Sequence, residues 1–301
     1  MHQRYCGKIR IIVIDDGSTD DSIELLKDIN CPSKIMILET EHHGKSYALN
    51  EGLKHVKTEY VITVDSDTVL HPLAVQAIMD KLVNSEEEVA ATAGAIFVQN
   101  DKKNFVTKLQ QWDYTLGIFG VKLYQGSYNS TLVAQGAFSA YKTKIVKEIG
   151  SWQDCVGEDI VLTWDLLSKG YKTNFAKNAI AFTESPETLI SMKSRFLMRM
   201  NIFFPFTDLA ILIFIPLGLI FLLFENHLFM GWLTLLVILL GMILCLVIEI
   251  KRRNVFKEVD CKLERRSMIA FIFYTLLYAF ILAPSCLIGY IKELLNVKKE
   301  W

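Results

Sequence analysis

The sequence predicts an α/β domain built on a doubly wound, mostly parallel sheet, followed by an α-helical transmembrane portion. Three observations predict it. Up to about residue 200 the chain mixes charged, polar and apolar residues as a globular domain does, and beyond that Ile, Leu, Phe and Val dominate. Strand-like and helix-like stretches alternate through residues 9–64. Apolar runs at 206–224, 228–250 and 268–291 are each long enough to cross a bilayer.

The chain has 301 residues, 51% of them hydrophobic, and a mean hydropathy of +0.29. That is more apolar than an ordinary soluble protein of this length, so a soluble domain at 1–190, an interfacial segment at 191–205 and a membrane domain at 206–301 are expected. The net charge of −1 supplies no general attraction for nucleic acid. Six cysteines lie scattered without a CxxC pair, which argues against a disulfide framework or a zinc site and fits a reducing cytosol.

The elements follow in order. Residues 9–14 form a near-continuous β-branched run, the pattern of a strand buried on both faces, and Gly17 breaks it. Ser18 with Asp21 reads as a capping box ahead of a helix carrying Ile23, Leu25, Leu26 and Ile29. A second strand is predicted over 34–38. The stretch GKSYALNEGLKHV then gives a helix with Ala48, Leu49, Leu53 and Val56 on one side, and a third strand covers 60–64. AATAGAIFV reads as a strand, 105–124 as an aromatic-rich helix, and TLVAQGAFSAYK as a strand entering a glycine turn. CVGEDIVLTWDLLSKGYK reads as an acidic loop and a helix that stops at Gly170. The segment at 251–266 carries Lys251, Arg252, Arg253, Lys257, Lys262, Arg265 and Arg266, which places it, and the soluble domain with it, in the cytosol.

In an open parallel sheet, ligands bind beyond the carboxyl ends of the strands. Asp15, Asp16, Asp65 and Asp67 all sit at such ends, so acids distant in sequence are expected to converge. Two carboxylates at i and i+2 after a strand suit a hard divalent cation, Mg²⁺ or Mn²⁺, which takes oxygen ligands and shares them with substrate phosphates.

Four blocks, VIDDGSTD, GKSYALNEGL with VDSD, AQGAFSAYK and GEDIVLTWDLLSKGYK, stand in the order of the blocks of family 2 glycosyltransferases, which the first two-thirds of the chain resembles. With the apolar segments, the resemblance extends to the membrane-embedded makers of poly-N-acetylglucosamine, hyaluronan, chitin or cellulose. It implies a GT-A-like fold and metal-dependent, inverting transfer from a UDP-sugar such as UDP-N-acetylglucosamine. The acceptor would be a glycan or a lipid-linked molecule at the cytosolic face of the plasma membrane, in a multi-pass protein with room for an accessory membrane subunit.

The resemblance also implies residue roles. Asp16 accepts from the uracil ring with Asp15 beside it, Lys45 lies near the diphosphate, and Asp65 faces the ribose and the metal. Asp67 ligates the metal, and Asp159 is the general base. Gly136, Glu158 and Arg199 lie on the acceptor side.

Two departures bear on these expectations. Family members carry a strand and a turn ahead of VIDDGSTD that form one wall of the uridine pocket, whereas only residues 1–8 precede the first strand here. The polymer-making members carry a Gln-x-x-Arg-Trp block, and the corresponding place reads FLMRM, where Arg199 alone fits and no indole is offered to a sugar ring. Single-step transfer to a polyprenyl or dolichyl phosphate or another lipid is therefore the alternative enzyme reading. A catalytically inactive membrane-anchored scaffold is the alternative of another class.

Overall fold

The structure, a computed structural model, describes residues 3–27, 34–155, 157–187, 204–223, 228–264 and 266–294. Along the chain the elements are β1 (Arg10–Asp16), α1 (Ser22–Lys27), β2 (Lys34–Thr40), α2 (Lys45–His55), β3 (Tyr60–Val64), β4 (Thr68–Leu70), α3 (Ala74–Val83) and β5 (Val89–Val98). Then come α4 (Phe105–Asp113), a π-helical turn (Tyr114–Gly120), α5 (Val121–Gly126), β6 (Phe138–Lys142), α6 (Thr143–Glu148), α7 (Glu158–Ser168) and β7 (Lys172–Thr183). The apolar helices are α8 (Phe204–Phe221), α9 (Leu228–Glu258) and α10 (Met268–Leu294). The chain divides into two compact units, one of Met1–Phe97 with Val121–Thr183, the other of Val98–Gly120 with Glu184–Trp301.

The first unit is an α/β fold with a mixed sheet. β1 and β2 pair in parallel from Arg10 opposite Lys34 to Asp16 opposite Thr40. Residues 11–16 are half-buried rather than enclosed on both faces, because β1 and β2 form a two-stranded sheet with α2 packed on it. At Gly52 of α2 an added Cβ would come within 2.5 Å of Ile14 Cδ1, so the glycine lets helix and strand approach closely. The capping box expected at Ser18 does not form. The Ser18 N–H donates to the Asp15 carboxylate at 3.2 Å, and the helix begins at Ser22, whose N–H donates to Asp20.

The other sheet runs β3-β6-β5-β7-β4. β3 and β6, β5 and β6, and β4 and β7 are antiparallel pairs. The parallel expectation holds for β1 and β2 and not for β3, because the strict strand–helix alternation stops after residue 64. Every residue of β5 is buried. A Cβ at Gly94 would overlap the ring of Phe138 at the start of β6, so the small residues of β5 make room for large ones on its neighbour. Leu53, Tyr141, Val146, Trp152, Leu162 and Leu166 close the core on one side, bringing α2, β6, α6 and α7 together. Burial of each such side chain contributes about 1.5–3 kcal/mol.

In the second unit, Leu109 and Trp112 of α4 and Leu116 of the π-helical turn pack with Ala270, Phe271 and Tyr278 of α10. The aromatic helix expected over 105–124 is continuous in path but passes through the π-helical turn, which contains Gly117 and ends at Gly120. At Gly120 an added Cβ would lie 2.8 Å from Ile248 of α9. Helix α9 is 31 residues long, roughly 46 Å at 1.5 Å per residue. That exceeds the ~30 Å hydrocarbon layer, so the stretch KRRNVFKE continues the helix beyond the apolar part instead of forming the expected loop. Among the described residues one helix, Phe229–Glu258, is long and apolar enough to cross a membrane.

Near the polar end of α9, Glu249 accepts from Arg252 at 2.7 and 2.8 Å, Arg253 at 3.0 Å and Arg266 at 3.1 Å. The Arg266 guanidinium also lies 4.9 Å from the ring centroid of Trp112. A carboxylate removed from water is tolerated when several donors share it.

Candidate active site

Four segments of the first unit deliver side chains to one place. Asp65 follows β3 directly, and its N–H donates to the Ala137 carbonyl at 3.3 Å, tying that strand end to the 134–137 turn. Helix α2 starts at Lys45 after Gly44, whose φ of +94° needs a residue without a side chain. The Lys45 ammonium lies 2.6 Å from Asp65 Oδ1 and 3.4 Å from Glu158 Oε1. Gly157, left-handed at φ +79°, opens α7 and places Glu158 and Asp159 in its first turn, where the helix dipole favours acids. The Gly136 N–H donates to Asp159 Oδ2 at 2.9 Å, and the Ile160 N–H donates to Oδ1 at 2.9 Å. A Cβ at Gly136 would sit 2.9 Å from Lys45 Nζ and 3.5 Å from Glu158 Oε1. Lys45, Asp65, Gly136, Glu158 and Asp159 therefore share one cluster.

The turn is fixed from behind. The Tyr141 hydroxyl, fully buried, donates to the Ala134 carbonyl at 2.8 Å, and the Ala134 N–H donates to Thr163 Oγ1 of α7 at 2.9 Å. Burial, with Asp159 nearby, pushes the Tyr141 phenol far above its usual range, so it stays neutral. At Lys45 burial alone would lower the pKa. The charges of Asp65, Glu158 and Asp159 and the hydrogen bond to Asp65 outweigh it and raise the pKa above 10.5.

Asp15 and Asp16 stand at the end of β1. The Asp16 carboxylate accepts from the His43 N–H at 2.9 Å and the Gly44 N–H at 2.8 Å, with the His42 ring nitrogen 3.0 Å away. Burial acts to raise its pKa, but these hydrogen bonds and His42 hold it below the ordinary 3.8. Asp16 is linked to the cluster through this loop, since Gly44 immediately precedes Lys45. Asp15 is engaged by Ser18, and its carbonyl accepts from Thr40 Oγ1 at 3.0 Å. Asp67 accepts from the Thr68 hydroxyl at 3.2 Å, and among the described residues it makes no hydrogen bond or ion pair with the cluster. Arg199, with the rest of 188–203, lies outside the described residues.

Two contributors were not legible as site residues. The main-chain donors of His43 and Gly44 carry no side-chain signal. Asn50, on α2, donates to the Trp152 carbonyl at 2.7 Å and accepts from the Trp152 N–H at 3.1 Å, fastening α2 to the segment ahead of α7. It is half-buried and lies outside the buried set Ser46, Ala48, Gly52 and Leu53, so the apolar pattern of the helix gives no signal for it.

The carboxylates and the lysine can bind cations and phosphate, and Asp159 can accept a proton. Among the described residues no group of three or more His, Cys, Asp or Glu is disposed to hold a metal ion by itself.

The domain that carries these residues is similar to known proteins. The family model "Glycosyl transferase family 2" matches residues 1–150. The chain is 29% identical over 184 residues to a poly-beta-1,6-N-acetyl-D-glucosamine synthase of Staphylococcus aureus (strain COL), covering 60% of this chain and 44% of that protein. It is 31% identical over 182 residues to the Staphylococcus epidermidis protein of the same name, covering 60% of this chain and 43% of that protein. The chain thus spans less than half the length of these curated relatives. Among solved structures, a mannosyltransferase from Pyrobaculum calidifontis in complex with GDP-mannose and Mn²⁺ is similar, with a TM-score of 0.53 and 14% identity. That match covers 96% of this chain and 79% of the mannosyltransferase and carries the GT-A-like fold. Block order, fold and family match agree, and residues 1–150 are a glycosyl transferase family 2 domain.

Proposed function

We propose that this protein transfers a sugar from a UDP-sugar to a glycan or lipid-linked acceptor at the cytosolic face of a membrane, with inversion at the anomeric carbon. The observation that carries the reading is the cluster of Lys45, Asp65, Gly136, Glu158 and Asp159 in a family 2 domain. UDP-N-acetylglucosamine is the donor to test first, because the Staphylococcus relatives are named for a polymer of that sugar.

The acids at the end of β3 fit a divalent cation shared with substrate. Asp65 and Asp67 offer hard oxygen donors, and a Mg²⁺-type site is normally completed by phosphate oxygens and water rather than by an all-protein cage. When bound, the cation would neutralise charge on the departing diphosphate.

The protein's own residues do the rest. Asp16 accepts an N–H of the nucleobase, with Asp15 beside it. Lys45 pairs with the diphosphate. Gly136, lacking a side chain, lets the acceptor come close to Asp159, and Glu158 accepts from the acceptor's hydroxyls. Asp159 takes the proton from the attacking hydroxyl as that oxygen bonds to the anomeric carbon and the bond to the diphosphate breaks. One inversion needs one base, unlike the two-carboxylate chemistry of glycoside hydrolysis.

Purified full-length protein supplied with UDP-N-acetylglucosamine, acceptor and Mn²⁺ is expected to release UDP, and Asp159→Asn to stop it. Undiminished release by that variant removes the proposed base. The FLMRM stretch at 196–200, without a tryptophan, favours a second reading in which one sugar passes to a lipid phosphate. Product sizing separates the two, since a ladder means polymer and a single species means one transfer. Absence of UDP binding at millimolar concentration with Mn²⁺ would favour an inactive scaffold over either.

A further inference from the structure

The ammonium of Lys45 is held as a cation among carboxylates. It is 2.6 Å from Asp65 and 3.4 Å from Glu158. The position is built rather than incidental. Gly136 faces it, and any side chain there would start 2.9 Å from Nζ. The Glu158 carboxylate is only 12% exposed, and among the described residues Lys45 is the cation it pairs with. The helix carrying Lys45 is itself fastened through Asn50 and Trp152. One flexible, monovalent group thus satisfies an acid on the donor side and an acid on the acceptor side together.

We infer that Lys45 is an internal counter-cation: without donor its ammonium pairs with both Asp65 and Glu158, and the diphosphate of an arriving nucleotide sugar draws it away, freeing Asp65 for the divalent cation and Glu158 for the acceptor. The inference rests on the glycosyltransferase reading above and goes beyond it, because it makes Lys45 a positioning residue that sets the order of events. A metal ion meeting the donor-free protein competes with the ammonium for Asp65. A metal ion arriving with the diphosphate does not, since the diphosphate removes the competitor. Nucleotide and metal each strengthen the other's binding by the same factor.

The test measures Mn²⁺ binding by the loss of its free-ion electron paramagnetic resonance signal, with and without UDP, on the full chain in detergent or nanodiscs. Lys45→Met removes the charge and keeps the apolar stem. Without nucleotide, this variant is expected to bind Mn²⁺ about tenfold more tightly than wild type, as removal of a competing like charge requires. UDP is then expected to raise its Mn²⁺ affinity far less than it raises that of wild type. Gly136→Ala, whose methyl displaces the ammonium, is expected to move nucleotide-free Mn²⁺ affinity in the same direction, and it stands in should Lys45→Met not fold. Unchanged or weaker nucleotide-free binding in these variants overturns the inference, and weakening is what a purely structural lysine gives. If wild type holds Mn²⁺ with UDP but the variants do not tighten, the counter-cation idea alone falls. If wild type holds no Mn²⁺ even with UDP, the glycosyltransferase reading falls with it.

Discussion

The main-chain N–H of Gly136 and the carboxylate of Asp159 meet at 2.9 Å, joining the turn ahead of β6 to the first turn of α7. Replacing Asp159 by Asn preserves an oxygen that accepts from Gly136 while removing the basic group. Asp159→Asn is therefore expected to lose about 10²–10⁴-fold in kcat for UDP release, with only a small drop in thermal midpoint from the lost acceptor of the Ile160 N–H. A midpoint that collapses along with activity would assign Asp159 to the fold instead.

A methyl group at Gly94 meets the ring of Phe138, which is fully buried. Gly94→Ala is expected to destabilise the first unit by about 1–3 kcal/mol, the usual range for overpacking a core. Denaturant unfolding followed by tryptophan fluorescence reads this out.

Asn50 exchanges two hydrogen bonds with the backbone of Trp152. Asn50→Ala leaves that N–H and C=O without their partner, at about 1–3 kcal/mol. The loss should also appear as faster proteolysis between Trp152 and α7.

The pH dependence has two ends. Asp16 is held below its ordinary 3.8, so its contribution to stability is present above that value and disappears as pH falls beneath it. Lys45 is raised above 10.5, so its contribution is complete below that value and disappears as pH rises past its folded-state value. Neither group titrates near neutrality. Urea midpoints taken across a pH series should show an acid limb that Asp16→Asn flattens and an alkaline limb that Lys45→Met flattens.

Removal of divalent cations with a chelator is expected to abolish UDP release reversibly, with Mn²⁺ or Mg²⁺ restoring it. Undiminished release in chelator would separate Asp65 and Asp67 from any metal role.

Much of the first unit was legible because its signals are local. The β-branched run of β1, the break at Gly17, the apolar stripe of α2 and the stop at Gly170 each announce an element without reference to distant residues. β4 is three residues long and α3 starts only four residues after it ends, so neither stands out from the loop after Asp67. β7 buries Thr173 and Asn174 alongside apolar residues and obeys no simple alternation. Antiparallel pairing of β3 with β6 depends on partners far apart in sequence, from 64 with 138 to 60 with 142, which no local pattern encodes. At the site, carboxylates and lysine could be nominated from residue type. The donors that orient them, the backbone of His43, Gly44, Gly136 and Ile160, are invisible until the chain is folded.

Glu249 gathers three guanidiniums, and Arg252 and Arg266 are almost wholly enclosed there. A tally of basic residues therefore overstates the charge this segment offers to phospholipid headgroups once folding is complete. Lys251, Lys257 and Lys262 are exposed and not drawn into this knot. Arg253, whose side chain is 58% exposed, still presents its charge at the surface, whereas Arg252 and Arg266 do not. Added salt should leave the finished arrangement largely untouched, because its strongest charges have already found one another.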